Sequence, residues 1–150
     1  MNDAIANLSV NRSHLEELRQ HLIYSDTSFF PSLSTRVDLE TYAKKIYDRA
    51  NRFEAWDNGN LIGLVAVYCD NHEKHTAFIT NVSVLPTYQG KGIASQLMNN
   101  CLEYIREQEF GVVELEVNQH SLVAVAVYQK YGFSTTCTKD QSLIMTLELE

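Results

Sequence analysis

The segment Gln89-Gly90-Lys91-Gly92-Ile93-Ala94-Ser95 joins an apolar run to an amphipathic helical pattern, and its chemistry is that of an anion cradle. A helix start carries about four backbone N–H groups without an intrahelical acceptor, together with a partial positive charge. Gly90 and Gly92 remove the side chains that would hold a phosphate away from those donors. The order strand, glycine turn, helix therefore points to a pyrophosphate, and so to a nucleotide-type cofactor. Neither G-x-x-x-x-G-K-S/T nor G-x-G-x-x-G can be read in the segment, which leaves a phosphate cradle of another kind. A Q-x-x-G-x-A hexapeptide alone is weak, because glycine turns also serve connection geometry. Its context strengthens it. Ala77, Phe78, Ile79, Val82, Val84 and Leu85 precede the turn, and Ile93, Leu97, Met98, Cys101, Leu102 and Ile105 form a stripe behind it.

A second cluster lies downstream, Leu115-Glu116-Val117-Asn118 followed by Ser121, Ala124, Tyr128, Lys130 and Gly132-Phe133. With the first motif it resembles the GNAT superfamily of acyl-CoA N-acyltransferases over about residues 50 to 136. Gln89-x-x-Gly92-x-Ala94 matches the family's Gln/Arg-x-x-Gly-x-Gly/Ala turn, and Ala124-x-x-x-Tyr128-x-Lys130-x-Gly132-Phe133 matches its second signature. Two signatures in register are far more specific than either alone.

The resemblance implies acetyl-CoA as co-substrate, while five histidines without H-x-x-x-H spacing and cysteines without C-x-x-C give a metal no support. The resemblance further implies that the backbone of Val82, Ser83 and Val84 pairs with the pantetheine arm in a β-like fashion. The amides of Gln89, Gly90, Lys91, Gly92, Ile93, Ala94 and Ser95 would hold the pyrophosphate. Asn118 and Ser121 fall beside the cofactor, although the family often has Asn where this chain has Ser121, whose reach is shorter. Glu116 occupies the position of the general base in some members, and Tyr128 that of the usual general acid.

The chemistry needs such groups. An amine of lysine-like pKa is only about one part in 2,500 unprotonated at pH 7, a shortage of roughly 4.6 kcal/mol. A carboxylate or an ordered water can relieve it. In a strand Glu114, Glu116 and Asn118 share a face, with Glu116 toward the end where an α/β cleft opens. A solvent-facing strand carboxylate is the equal alternative. A tyrosine keeps its proton at neutral pH and can protonate a departing thiolate, whereas a core aromatic would explain the 124, 127, 128, 131 face of its helix without any chemistry. Lys91 is as readily a solvated loop lysine as a phosphate partner. Tyr24, Phe29, Phe30 and Tyr68 are the candidate acceptor contacts, with core plugging the alternative for Phe29 and Phe30.

The elements that must position these groups follow from pattern. Ser13 to Glu16 matches a capping box and predicts a first helix over about 14–24, and Asp38 can start a second over about 38–50. Residues 1–12 fit a strand, a short helix or a frayed end, and 25–37 form a polar loop. Arg52–Trp56 and Leu61–Cys69 flank Asp57-Asn58-Gly59-Asn60, a hairpin turn signal. His75–Leu85 is a strand, and a helix runs from the glycine turn to about Gln108. Val112–Val117 is a strand, Leu122–Tyr131 a helix closed by Gly132, and Phe133–Thr138 with Ser142–Leu149 an antiparallel pair. The order predicts an α/β chain, a mixed sheet with helices on both faces. The resemblance adds that this sheet is mostly antiparallel with one splayed parallel pair, in a single GNAT-like domain over 1–150.

Composition sets outer limits. At 150 residues with 45% hydrophobic content the chain has enough for one core. Net charge is −7, so a basic nucleic-acid footprint is absent. No apolar run approaches the roughly 20 residues that span a bilayer, and no secretory signal is seen at the N-terminus. Cys69, Cys101 and Cys137 are odd in number and widely spaced, which speaks against disulfides and suggests the cytoplasm. The expectation is an N-acetyltransferase that moves acetyl from acetyl-CoA to a primary amine of a small molecule by direct attack. A non-catalytic acyl-CoA-binding or sensing module and a peptide or protein N-acetyltransferase stand as alternatives. An exposed final strand offers an edge for a homodimer.

Overall fold

Apolar residues that line both faces of the central strands need a layer of helices on each side. The computed structural model describes residues 7–29 and 31–149. Along the chain these are β1 (Asn7–Val10), α1 (Leu15–Ser25), α2 (Leu39–Arg49), β2 (Asn51–Asp57), β3 (Asn60–Asn71) and β4 (Thr76–Val84). Then come α3 (Ile93–Glu107), β5 (Val112–Asn118), α4 (Leu122–Lys130), β6 (Ser134–Lys139) and β7 (Ser142–Glu148). The strands form one sheet in the order β1-β2-β3-β4-β5-β7-β6, antiparallel except for β4 beside β5. The fold is thus the mixed, mostly antiparallel sheet that the sequence led one to expect. No helix among the described residues is long and apolar enough to cross a membrane.

The two faces carry separate cores. Leu18 and Leu22 of α1 and Ala43 and Ile46 of α2 are fully buried against Trp56, Leu61, Leu64 and Ala66. On the other face Ile93, Leu97, Met98, Cys101, Leu102 and Ile105 of α3 pack on Phe53, Val65, Val67, Ile79, Val113 and Leu115. Each such leucine-sized side chain stabilises the fold by about 2 kcal/mol through burial.

Local features set the cleft. The β2–β3 hairpin turns on Asn58 and Gly59, with φ of 52° and 78°, the signature of the tight turn its sequence predicts. β4 carries a bulge at Thr80, since the register passes from Ala66↔Asn81 to Val67↔Ile79. A bulge bends its strand and increases twist. Pairing of β4 with β5 accordingly ends at Ile79↔Leu115, while the strands run on to Val84 and Asn118. They splay beyond that point.

One boundary differs from expectation, and one open reading resolves. The first helix is capped at His14, whose backbone N–H donates to Glu17 Oε1 at 2.8 Å, because the Ser13 hydroxyl is taken by the buried Glu54 carboxylate. Of the three options for residues 1–12, the strand is found at Asn7–Val10, and residues 1–6 lie outside the described residues. β1 is held by Glu54, which accepts from Ser9 Oγ and the Arg12 N–H at 2.8 Å each, and by Trp56 Nε1, which donates to Ser9 Oγ at 2.7 Å.

Candidate functional site

The divergence of β4 from β5 opens a cavity of about 940 Å³. Asn81, Val82, Ser83 and Val84 form one wall and Leu115, Glu116, Val117 and Asn118 the other, with the glycine turn at one end and α4 along the rim. Beyond Ile79 the edge of β4 that faces β5 has no strand partner among the described residues.

The turn meets the cavity with its backbone. Gly90 and Gly92 have φ of 79° and 81°, left-handed values that disfavour any side chain. A Cβ on either would meet nothing within 4 Å, so open space stands over the turn. The Gln89 N–H is engaged, donating to the Pro86 carbonyl at 3.4 Å, and the next helical bond is Gln96 N–H to the Gly92 carbonyl at 3.1 Å. Between them the N–H groups of Gly90, Lys91, Gly92, Ile93, Ala94 and Ser95 have no protein acceptor among the described residues. The Gln89 side chain braces the turn, donating to the Val84 carbonyl at 3.0 Å and to Ser28 Oγ at 3.3 Å. Lys91 is exposed and does not line the cavity.

Tyr128 lines the cavity from α4. The helix ends in a two-bond cap, Gly132 N–H to the Gln129 carbonyl and Phe133 N–H to the Tyr128 carbonyl, both 3.0 Å. This sets the Phe133 ring edge-on to Tyr128 at 6.0 Å. Burial, with Tyr131 adding to it, pushes the Tyr128 phenol up to about 12. Its hydroxyl has no hydrogen-bond partner among the described residues. Glu116 is exposed at the cavity wall; Val113 and Leu115 point to the α3 side, so Glu116 and Asn118 face the α1–α2 side. Asn118 shapes the following turn, its Oδ1 accepting from the His120 N–H at 2.8 Å. Ser121 lines the cavity at the start of α4.

Of the acceptor candidates, Phe29 lines the cavity. Phe30 lies outside the described residues. Tyr24 is 62% exposed on α1 and Tyr68 lines a neighbouring pocket, so neither is among the cavity-lining residues. Sequence reasoning missed polar groups in and behind the wall. Tyr42, at helical spacing between Leu39 and Ile46 in α2, donates to the Thr80 carbonyl at 2.6 Å, and burial pushes its phenol up to about 12. His21 of α1 is buried behind that wall, with Nε2 2.8 Å from Ser83 Oγ, which also lies 2.7 Å from the Asn81 carboxamide. No local spacing marks such contacts between α1 and β4.

Comparison with known proteins bears on what this cleft is. The model of the acetyltransferase (GNAT) family matches residues 16–133. Streptothricin acetyltransferase of Streptomyces lavendulae is 33% identical over 87 residues, 57% of this chain and 44% of that protein. The chain spans less than half the length of the first curated relatives it matches. Among solved structures, PaiA N-acetyltransferase of Thermoplasma acidophilum in complex with coenzyme A superposes with a TM-score of 0.73 at 16% identity, over 95% of this chain and 99% of that one. The ribosomal-protein-S18-alanine N-acetyltransferase of Escherichia coli superposes with a TM-score of 0.76 at 18% identity, over 96% and 95% of the two chains. At such identities the superpositions establish the fold. With a family model matched over most of its length, the chain belongs to the GNAT family of acetyltransferases.

Proposed function

We propose that the protein is an acetyl-CoA-dependent N-acetyltransferase whose acceptor is a primary amine of a small molecule. The observation that carries this reading is the meeting, in one cavity, of the unengaged amides of residues 90–95, the open edge of β4 and the Tyr128 phenol. These residues fit coenzyme A. Free N–H donors with open space above them suit a diphosphate, and an unpaired strand edge at Val82–Val84 suits an amide-bearing arm.

Bound acetyl-CoA supplies the acetyl group as a thioester. Tyr128 holds its proton at every physiological pH and donates it to the departing sulfur. Glu116 takes the proton that the attacking amine must lose, directly or through a water. The loop after α1 favours a small acceptor. Phe29 and Pro31 line the cavity, Ser28 is tied to Gln89, and Asp26 pins the loop by accepting from the Ser34 N–H and hydroxyl at 2.7 Å each.

Calorimetric titration with CoA and release of free thiol in the presence of an amine panel test the proposal. Tyr128→Phe should lower kcat about 10²-fold and leave CoA affinity within about twofold. Absence of CoA binding would sink the reading, and unchanged turnover in Tyr128→Phe would remove the assigned acid. Tight CoA binding without transfer to any amine would favour the acyl-CoA-binding module instead.

A further inference from the structure

The cleft does not end where β4 leaves β5. On the α2 side of the sheet a pocket of about 660 Å³ lies over the first halves of both strands, with Tyr42, Lys45, Tyr68, Phe78, Thr80 and Glu114 in its wall. Tyr42, Phe78 and Thr80 line the cleft as well, so the two hollows share a wall.

The charges of the pocket are unequally committed. Lys45 Nζ sits over the Tyr68 ring at 5.1 Å from its centroid. Asp70 pairs with Arg49 at 2.6 Å, and Asp38 caps α2 by accepting from the Thr41 N–H at 3.0 Å. Of the three carboxylates, only that of Glu114 has no hydrogen-bond or ion-pair partner among the described residues. Asp38, Asp70 and Glu114 stand against Lys45, so the lining is net negative.

A second, independent observation points to a ligand. Tyr68 is 9% exposed and lines the pocket, and its hydroxyl has no hydrogen-bond partner among the described residues. A buried hydroxyl without a partner is destabilising, and the pocket is where a partner can come from. Glu114 and Glu116 lie two residues apart on one face of β5, about 7 Å along the strand. One faces the pocket and the other the cleft. The rings of Tyr42 and Phe78 stand in the shared wall, suited to a short run of methylenes.

On the acetyltransferase reading above, we infer that the acceptor is a dicationic amine, such as an aliphatic diamine, with one amino group at the thioester and the other held by Glu114 beside Tyr68. The side pocket is then the specificity subsite of the acceptor.

Steady-state acetylation of 1,4-diaminobutane and 1,6-diaminohexane against butylamine and hexylamine tests this, in the wild type and in Glu114→Gln. The wild type should favour at least one diamine over its monoamine by about fivefold in kcat/KM, carried by KM, as one partly exposed ion pair allows. Glu114→Gln should erase that preference and leave monoamine kinetics and CoA affinity unchanged. A wild type without the preference, or a variant that keeps it, overturns the inference. Should CoA bind but no amine be acetylated, the acetyltransferase reading has failed by itself. Calorimetry of the same diamines on the CoA-saturated protein then decides the subsite: weaker binding in Glu114→Gln supports it, and equal or absent binding in the wild type overturns it.

Discussion

Tyr128 and Glu116 reach one cavity from α4 and β5, in unlike surroundings. The phenol is pushed up to about 12 by burial, so it is a donor and never a base near neutrality. The exposed carboxylate at the wall can only accept. This division predicts a pH signature. With a lysine-like amine, kcat/KM should rise with pH as the neutral amine accumulates, and no alkaline fall from Tyr128 should appear below about pH 10. Glu116→Gln should reduce kcat/KM about 10²-fold at pH 7 and much less at about pH 10, where the amine is already neutral. A variant equally impaired at both pH values would mean that Glu116 positions the substrate and does not take its proton. Tyr128 was legible because its signature spans Ala124 to Phe133. Tyr42 was not, since a tyrosine in an apolar stripe looks like core until its hydroxyl is seen on the Thr80 carbonyl.

At the scale of elements, the cap of α4 ties the Tyr128 phenol to the sheet. Gly132 has a φ of +104°, and a Cβ there would come within 3.1 Å of Leu147 Cδ1 in β7. Gly132→Ala should therefore cost about 1–2 kcal/mol from backbone strain alone, a fall in Tm of roughly 3–6 °C. Calorimetric melting checks it, and an unchanged Tm would mean the turn relaxes freely. Gly92→Ala is a different case. Its surroundings are empty, so strain at φ 81° and obstruction of a phosphate are the expected effects, the latter read as about tenfold weaker CoA binding. Most elements were legible because local rules sufficed: the Asn58-Gly59 turn, the stripe of α3 and the Asp38 cap all fall where periodicity and turn chemistry place them. Three features were not. β1 shows two exposed apolar residues, Leu8 and Val10, and owes its place to a buried carboxylate more than 40 residues away. The cap of α1 moves to His14 because that same Glu54 claims Ser13. The Thr80 bulge, which opens the cleft, has no glycine or proline to announce it.

The whole molecule is held across its α1 face by two buried polar stations, Glu54 beneath the start of α1 and His21 about two turns further along. His21 makes stability depend on pH. Its Nδ1 lies 2.9 Å from the Leu61 carbonyl oxygen, which can only accept, so the neutral ring carries its proton there. Burial pulls the imidazole down from 6.5 to about 4, against a smaller opposing effect of that hydrogen bond. A depressed folded value means that the unfolded chain binds the proton first as pH falls. The stability is therefore complete above about pH 6.5 and is lost progressively toward pH 4, by about 3 kcal/mol in all. The carboxyls of Asp26 and Asp38, held below their ordinary range chiefly by side-chain hydrogen bonds from Ser34 and Thr41, add their losses only at lower pH. Urea unfolding between pH 7.5 and 4.5 should show the decline, with the native cleft distorted alongside because Ser83, the partner of His21, lies in its wall. His21→Gln should be less stable at neutral pH yet nearly flat over the same interval. A wild type whose midpoint does not move, or a His21→Gln protein with the same slope, would show that the imidazole is not the group whose protonation loosens α1 from the sheet.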